Sequence, residues 1–313
     1  MPDAHSTLRT VALLRSGTSL DVLVSKYSLC LRKHPTLPLV QLSYDQKSAS
    51  FAEEVTRECR GLILECDSWR VVSMPFYKFF NAGEQHAAKD FDWTTARVYE
   101  KIDGSMMTLY HHSNAWHVAS QKLPAADGDV PGATCTFAQA FWHVWKRRGL
   151  KLPTRTDRCY VFELTLKEHS IVVRHEVASL TLLGARDLNS LAELPCEEIG
   201  AANGWPSARC YDRLFDSATG PCLKGVKDAA KALDPIRQEG FVAVDKDFRR
   251  LKIKSPAYVA LHHLQGATIL TSNQPEKQRH RLSRHLHFAS RQVRIDFGVF
   301  GSTSRVESRC ACG

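Results

Sequence analysis

No Cys-x-x-Cys pair occurs in this chain, although ten cysteines are scattered along its 313 residues. The closest pair, Cys310 and Cys312, stands at the very end, where a frayed tail is a simpler reading than a metal site. Also missing is any apolar run long enough to span a bilayer. Near the amino terminus Val11, Leu13 and Leu14 are interrupted by arginines and preceded by Asp3 and His5, the pattern of a domain start and not of a targeting segment. Cysteines so spaced, with no secretory leader, predict reduced thiols and an intracellular protein, cytoplasmic or nuclear. Acidic residues are in the minority: 33 Asp and Glu face 42 Lys and Arg, for a net charge of +9. That excess favours a polyanionic partner, since phosphate neutralisation with counterion release supplies most non-specific nucleic-acid affinity, although many basic proteins bind nothing acidic. What is present is ordinary for a soluble globular chain, 43% hydrophobic and 24% charged, with length for one or two domains and ample core.

Chemistry concentrates at Tyr99-Glu100-Lys101-Ile102-Asp103-Gly104-Ser105, where a lysine, a carboxylate and a turn glycine share one short run. A lysine amine attacks phosphorus only after losing its proton, and burial or nearby cations pull an ammonium pKa down from its free value of ~10.4. Val98 before the motif and Met106, Thr108 and Leu109 after it predict that Lys101 closes one strand and that Gly104 turns the chain into the next. Taken alone, the run reads equally well as a surface hairpin.

Further short motifs stand on either side. Upstream are Glu58-Cys59-Arg60-Gly61, leading into Leu62, Ile63 and Leu64, and then Lys78-Phe79-Phe80-Asn81 after Val71 and Val72. Downstream are Val161-Phe162-Glu163, Ala185-Arg186-Asp187, Glu239-Gly240-Phe241-Val242 and Leu251-Lys252-Ile253-Lys254. A guanidinium such as Arg60 suits bidentate phosphate binding, though a solvated strand end would also hold one. Glu163 ends an apolar run and needs a partner if buried. Glu239 precedes a glycine that lets backbone approach a ligand. Lys252 and Lys254, two apart on a predicted strand, face one side. If that side is a pocket, they lower the pKa of Lys101 and neutralise phosphate; if it is a sheet edge, they deter aggregation.

Read in order, these motifs across residues 55–260 resemble the signature of the covalent nucleotidyltransferases, ligases and capping enzymes that share a lysine–nucleotide intermediate. Within that superfamily they are similar to the phage tRNA-repair type of ATP-dependent RNA ligase. The resemblance implies an α+β fold, an ATP-grasp-like adenylation domain of two largely antiparallel sheets flanking an ATP cleft, with helices outside. It implies Lys101 as nucleophile, with Asp103, Lys252 and Lys254 also catalytic and Asp103 engaged after adenylylation. Arg60 and Lys78 would hold the outer phosphates of ATP. Phe80, Glu100, Gly104, Lys122, Glu163, Lys252 and Lys254 would complete the nucleotide site, with Glu163 near the sugar. Lys122, in Ser120-Gln121-Lys122, is a loose match, and Phe80 beside Phe79 reads as core as readily as ligand contact. Glu239 and Glu163 would carry magnesium, with manganese as a substitute. The implied substrates are RNA ends bearing a 5′-phosphate and a 3′-hydroxyl. A DNA ligase, a GTP-using capping guanylyltransferase and a degenerate, RNA-binding ligase fold are the alternatives.

Periodicity fills in the rest: a helix within Ser19 to Leu31, strands between Leu39 and Val72, and a loop over Asp127 to Gly132. Phe137, Phe141 and Trp145 recur at helical spacing. Ile171 to Val173 and Leu180 to Leu183 read as strands, and Arg186-Asp187 as either a strand-end ion pair or a family motif. Helices are expected over Leu191 to Ala201 and Leu223 to Leu233. The predicted organisation is an adenylyltransferase domain over 1–260, with phosphate-binding motifs in 1–95, and a short basic segment over 261–313. In that segment Lys and Arg outnumber Asp and Glu by eight to three from Thr271 onward, which suits RNA binding or a solvated, partly disordered tail. The separate RNA-selecting domain of the resembled family is the main departure.

Overall fold

The computed structural model describes residues 8–211 and 220–272; the basic tail from 273 on lies outside the described residues. Two short helices come first, α1 (Arg9–Arg15) and α2 (Leu20–Tyr27). Ser19 caps α2 by accepting from the Val22 N–H. The expected continuation to Leu31 fails at Ser28, whose φ of 51° ends the helix, and β1 (Leu29–Lys33) starts at the next residue. Strands β1, β2 (Leu39–Tyr44), β3 (Arg60–Glu65) and β4 (Val71–Ser73) pair antiparallel in that order, with α3 (Glu54–Glu58) set between β2 and β3.

The chain continues through β5 (Phe80–Asn81), β6 (Arg97–Lys101), β7 (Ser105–His112), β8 (Ala115–Ser120), α4 (Phe137–Arg147), β9 (Arg158–Thr165), β10 (Ser179–Asp187) and β11 (Glu193–Leu194). Helices α5 (Cys196–Asn203) and α6 (Leu223–Lys231), strands β12 (Gly240–Val244) and β13 (Arg250–Lys254), and α7 (Pro256–Ser272) follow. A second sheet runs β11-β10-β9-β7-β8 and a third β5-β13-β12-β6. Every pairing between the described strands is antiparallel save β13 with β5. The α+β class with largely antiparallel sheets is as expected; strands β1 to β4 form a sheet of their own. The chain divides into two units after Tyr258, and every described strand lies in the first. No described helix is long and apolar enough to cross a membrane.

Alternation decides which face of each strand reaches the site. In β9, Tyr160, Phe162 and Leu164 pack with Phe141 and Trp145 of α4, which begins at a Thr136–Gln139 capping box. Glu163 takes the opposite face. In the third sheet Val98, Phe241, Ala243, Leu251 and Ile253 pack with Val226 and Ala230 of α6. Arg97, Tyr99 and Lys101, Val242 and Val244, and Arg250, Lys252 and Lys254 are thereby sent to the other face. Gly240 sits where β6, β12 and β13 are tightest: at φ 154°, an added Cβ would lie 2.3 Å from the Ile253 carbonyl oxygen. Gly240→Ala is therefore expected to cost about 3 kcal/mol of stability, read as a lower urea midpoint at unchanged slope.

Several expectations are corrected. The Lys101 motif is not a surface hairpin, because β6 and β7 belong to different sheets and residues 102–104 cross between them. Ile171 to Val173 are not a strand; the N–H groups of Val172 and Val173 are drawn to a side chain described below. The helix expected from Leu191 starts at Cys196, after β11. Arg186 is no exposed strand-end ion pair with Asp187. It is buried and donates to the Met74, Pro75 and Leu191 carbonyls and to Glu193 at 2.7 Å.

Candidate active site

The third sheet's register brings the motif residues together. Gly240 stands opposite Lys101 on one side and Lys254 on the other. The carboxylate of Glu239, one residue earlier and only 3% exposed, is thus held between two ammonium groups: Oε2 lies 2.8 Å from Lys101 Nζ and Oε1 2.8 Å from Lys254 Nζ. A buried carboxylate so placed is compensated twice, and removing either lysine leaves it half-paired. From the facing sheet, Glu163 stands opposite Met106 of β7. Burial pushes its carboxyl up to about 7, with Lys101 opposing the shift.

Lys252 shares the face. Burial, then the charges of Arg60, Lys101, Lys78 and Lys254, push its pKa down to about 7. Lys101, for its part, is held in the ion pair with Glu239. The Phe79 ring lies between Lys252 Nζ, 4.7 Å from its centroid, and the Arg60 guanidinium at 5.0 Å. Burial lowers the pKa of Arg60, and its Nη1 atom is buried with no hydrogen-bond partner among the described residues. A buried guanidinium nitrogen left open is costly unless an anion completes it.

Lys78 sits in a cage of Tyr44, Phe51 and Phe80, its Nζ at 4.8, 4.8 and 5.5 Å from their centroids and 3.2 Å from the Tyr44 hydroxyl. Phe80 is buried and forms one wall of that cage. The parallel pairing of Phe80–Asn81 with Leu251–Lys252 carries Lys78 toward Lys252. Lys122 is exposed on the turn after β8, next to Gln121, whose Nε2 donates to the Tyr44 hydroxyl at 3.3 Å.

Asp103 is the hub of the crossover. Its Oδ2 accepts from the Val172 and Val173 N–H groups, each at 2.9 Å, and its Oδ1 accepts from the Tyr258 hydroxyl at 2.8 Å. His175 Nε2 meets the Asp103 carbonyl at 2.7 Å. Gly104 lets the crossover lie against β9, since a Cβ there would be 2.6 Å from the Leu164 carbonyl oxygen. Glu100 borders the neighbouring cavity, but alternation carries its carboxylate to the other face of β6, where burial raises its pKa against the charges of Arg209 and His175. Tyr44 and Tyr258 carry no motif of their own in the sequence; Tyr258 stands four residues after Lys254, a spacing with meaning only once α7 is placed.

Phe79, which meets Lys252, also walls a cavity of about 360 Å³ together with Tyr99, Leu183, Val242, Arg97 and Arg250; Lys101, Lys252 and Lys254 themselves lie outside its lining. Its size and mixed lining suit a small planar ligand with charged substituents.

Comparison with known proteins agrees on one family. An RNA ligase of Rhodothermus phage RM378 is 26% identical, matching 70% of this chain and 62% of its own length. A protein of Autographa californica nuclear polyhedrosis virus, carried under the candidate name of bifunctional polynucleotide kinase/RNA ligase, is 28% identical over 82% of this chain and 38% of its own. The chain therefore spans less than two thirds of either relative. A Naegleria gruberi RNA ligase solved with PPi overlays 54% of this chain and 52% of its own at 20% identity and a TM-score of 0.42, a likeness too slight to add to the argument. The RNA ligase family model matches residues 58–258, more than half of the sequence and the whole span from Arg60 to Lys254. The chain belongs to the RNA ligase family.

Proposed function

We propose that the chain is an ATP-dependent RNA ligase, joining 5′-phosphate and 3′-hydroxyl RNA ends through a lysyl-AMP and an adenylylated RNA. The observation that carries this reading is the convergence of Lys101, Lys252, Lys254 and Arg60 around Glu239 and Phe79, with Phe79 also walling a cavity of nucleoside size. Burying so many cations with so few carboxylates is unfavourable unless a polyanion completes the site. A triphosphate does so.

In this reading the base enters between Tyr99, Val242 and Phe79, and the phosphates run along Arg60, Lys252 and Lys78. Lys101 leaves Glu239, sheds its proton and attacks the α-phosphorus in line; a P–N bond forms, the bond to the leaving oxygen breaks, and pyrophosphate departs. AMP then passes from Lys101 to the RNA 5′-phosphate, and a 3′-hydroxyl displaces it. Asp103, whose oxygens are engaged by three donors, holds the motif in place. Among the described residues no three potential metal ligands gather. Glu239 and Glu163 are the carboxylates that would hold magnesium, or manganese in its stead, together with phosphate oxygens and water, and the ion would screen the triphosphate.

The test is covalent labelling. Incubated with magnesium and α-labelled ATP, the chain should acquire label that survives SDS and alkali and is released by acid, as a phosphoamide is. Added 5′-phosphorylated RNA should take up that label and then release AMP on joining. Labelling by GTP in place of ATP would make it a capping enzyme, preferential sealing of nicked DNA a DNA ligase, and no label with intact RNA binding a non-catalytic RNA-binding protein.

A further inference from the structure

Beyond the nucleotide cavity lies a wider groove of about 590 Å³, and Phe79, Phe248 and Arg250 line both. Lys78, Phe79 and Phe80 belong to the nucleotide site at one end of it, while adenylylation gives no role to its Arg57, Tyr77 and Arg249. Its lining carries five Lys and Arg side chains against two carboxylates, interleaved with Tyr77, Phe79, Phe80 and Phe248. Cations alternating with aromatic faces are the physical pattern of a single-stranded nucleic-acid track, where phosphates follow the charge and bases stack on the rings.

Two features favour an occupant of the groove. Tyr77 is 39% exposed, the one aromatic among the large exposed apolar side chains of the described residues. Its ring rests 5.4 Å from the guanidinium carbon of Arg186, which is itself buried and fixed by the Met74 and Pro75 carbonyls at 3.0 and 3.1 Å and by Glu193 at 2.7 Å. An exposed ring on an immobile support is pre-organised for stacking and loses little freedom on binding. Phe248, on the wall shared with the nucleotide cavity, has a φ of 57°, a left-handed conformation that a bulky side chain rarely adopts. The turn holds it there: Asp245 accepts from the N–H groups of Asp247 and Arg249 and from Arg249 Nε. Strain so over-determined marks functional positions.

We propose that this groove holds single-stranded RNA next to the reacting end, with a base stacked on Tyr77 and phosphates along Arg57 and Arg249. The proposal rests on the RNA-ligase reading but concerns a surface outside the adenylylation chemistry. The test is fluorescence anisotropy with a short 5′-phosphorylated single-stranded RNA and no nucleotide, on the full chain and its Tyr77→Ala, Tyr77→Leu and Tyr77→Phe variants. Loss of a stacked base should weaken binding about ten-fold in Tyr77→Ala and in Tyr77→Leu, which keeps apolar bulk without a π face. Tyr77→Phe should bind like the parent, and a blunt RNA duplex, whose bases are already stacked, should bind all four alike. Unchanged single-strand affinity in Tyr77→Ala overturns the proposal, and so does equal loss for single strand and duplex. Because no adenylylation is required, Tyr77-dependent binding by a chain that cannot be labelled would sink the ligase reading alone.

Discussion

Lys101→Ala and Lys101→Arg should take up no label from α-labelled ATP, a loss of more than about 10³-fold against the unsubstituted chain. The arginine variant keeps a cation facing Glu239, so the buried carboxylate stays compensated, yet a guanidinium cannot be deprotonated to act as a nucleophile near neutral pH. Loss in both variants therefore assigns the reacting atom and not merely the charge. The experiment also decides between two lysines. Lys252, pushed down to about 7, is poised to be neutral, whereas Lys101 is tied to Glu239 at 2.8 Å. Acidity alone would favour Lys252 as nucleophile; geometry favours Lys101, which closes β6 just after the cavity-lining Tyr99 and Glu100 and can be freed when another cation competes for Glu239 or the triphosphate competes for the ammonium. Label retained in Lys101→Ala and lost in Lys252→Ala, with the labelled peptide mapping to β13, would reverse the assignment.

That contest shows which parts of the site were legible in the sequence. The strand ending at Lys101, the pair Lys252 and Lys254 on one face, and the glutamate ahead of Gly240 all follow from period-two alternation and local motif order. Which lysine bears the repulsion does not follow, because it depends on the register that sets Gly240 between Lys101 and Lys254 and leaves Lys252 against Phe79. Ile171, Val172 and Val173 look like a strand because they are β-branched, yet a carboxylate nearly seventy residues earlier takes two of their N–H groups. Long-range demand for a buried acceptor has overridden local propensity. Arg186 misleads in the same way. Beside Asp187 it resembles half of a surface pair, and only the fold shows that Glu193 and the link from β4 to β5 enclose it.

Nucleotide binding should take up protons above neutral pH, and Lys252 is the group that makes it do so. In the free chain burial and four neighbouring cations hold Lys252 down to about 7. A bound triphosphate brings several negative charges to the same face and moves the pKa back up toward the ordinary lysine range. Between those two values the bound chain carries more protons than the free one, so affinity is greatest below about pH 7 and falls as pH rises, by up to about ten-fold per unit. Calorimetry at pH 8 in buffers of different ionisation enthalpy should read an uptake approaching one proton. Lys252→Arg, permanently charged, should abolish it, whereas Lys252→Ala should abolish it and also slow labelling by about 10²–10³-fold through lost stabilisation of the α-phosphate. Glu163 is the rival source, since its carboxyl is pushed up to about 7 as well. Its free-state pKa stands above its ordinary value, and added negative charge would raise it further, giving uptake of the same sign. Glu163→Gln separates the two: with Lys252 responsible, the uptake at pH 8 survives that substitution and vanishes in Lys252→Arg, and the opposite pattern would move the titration to the carboxylate on β9.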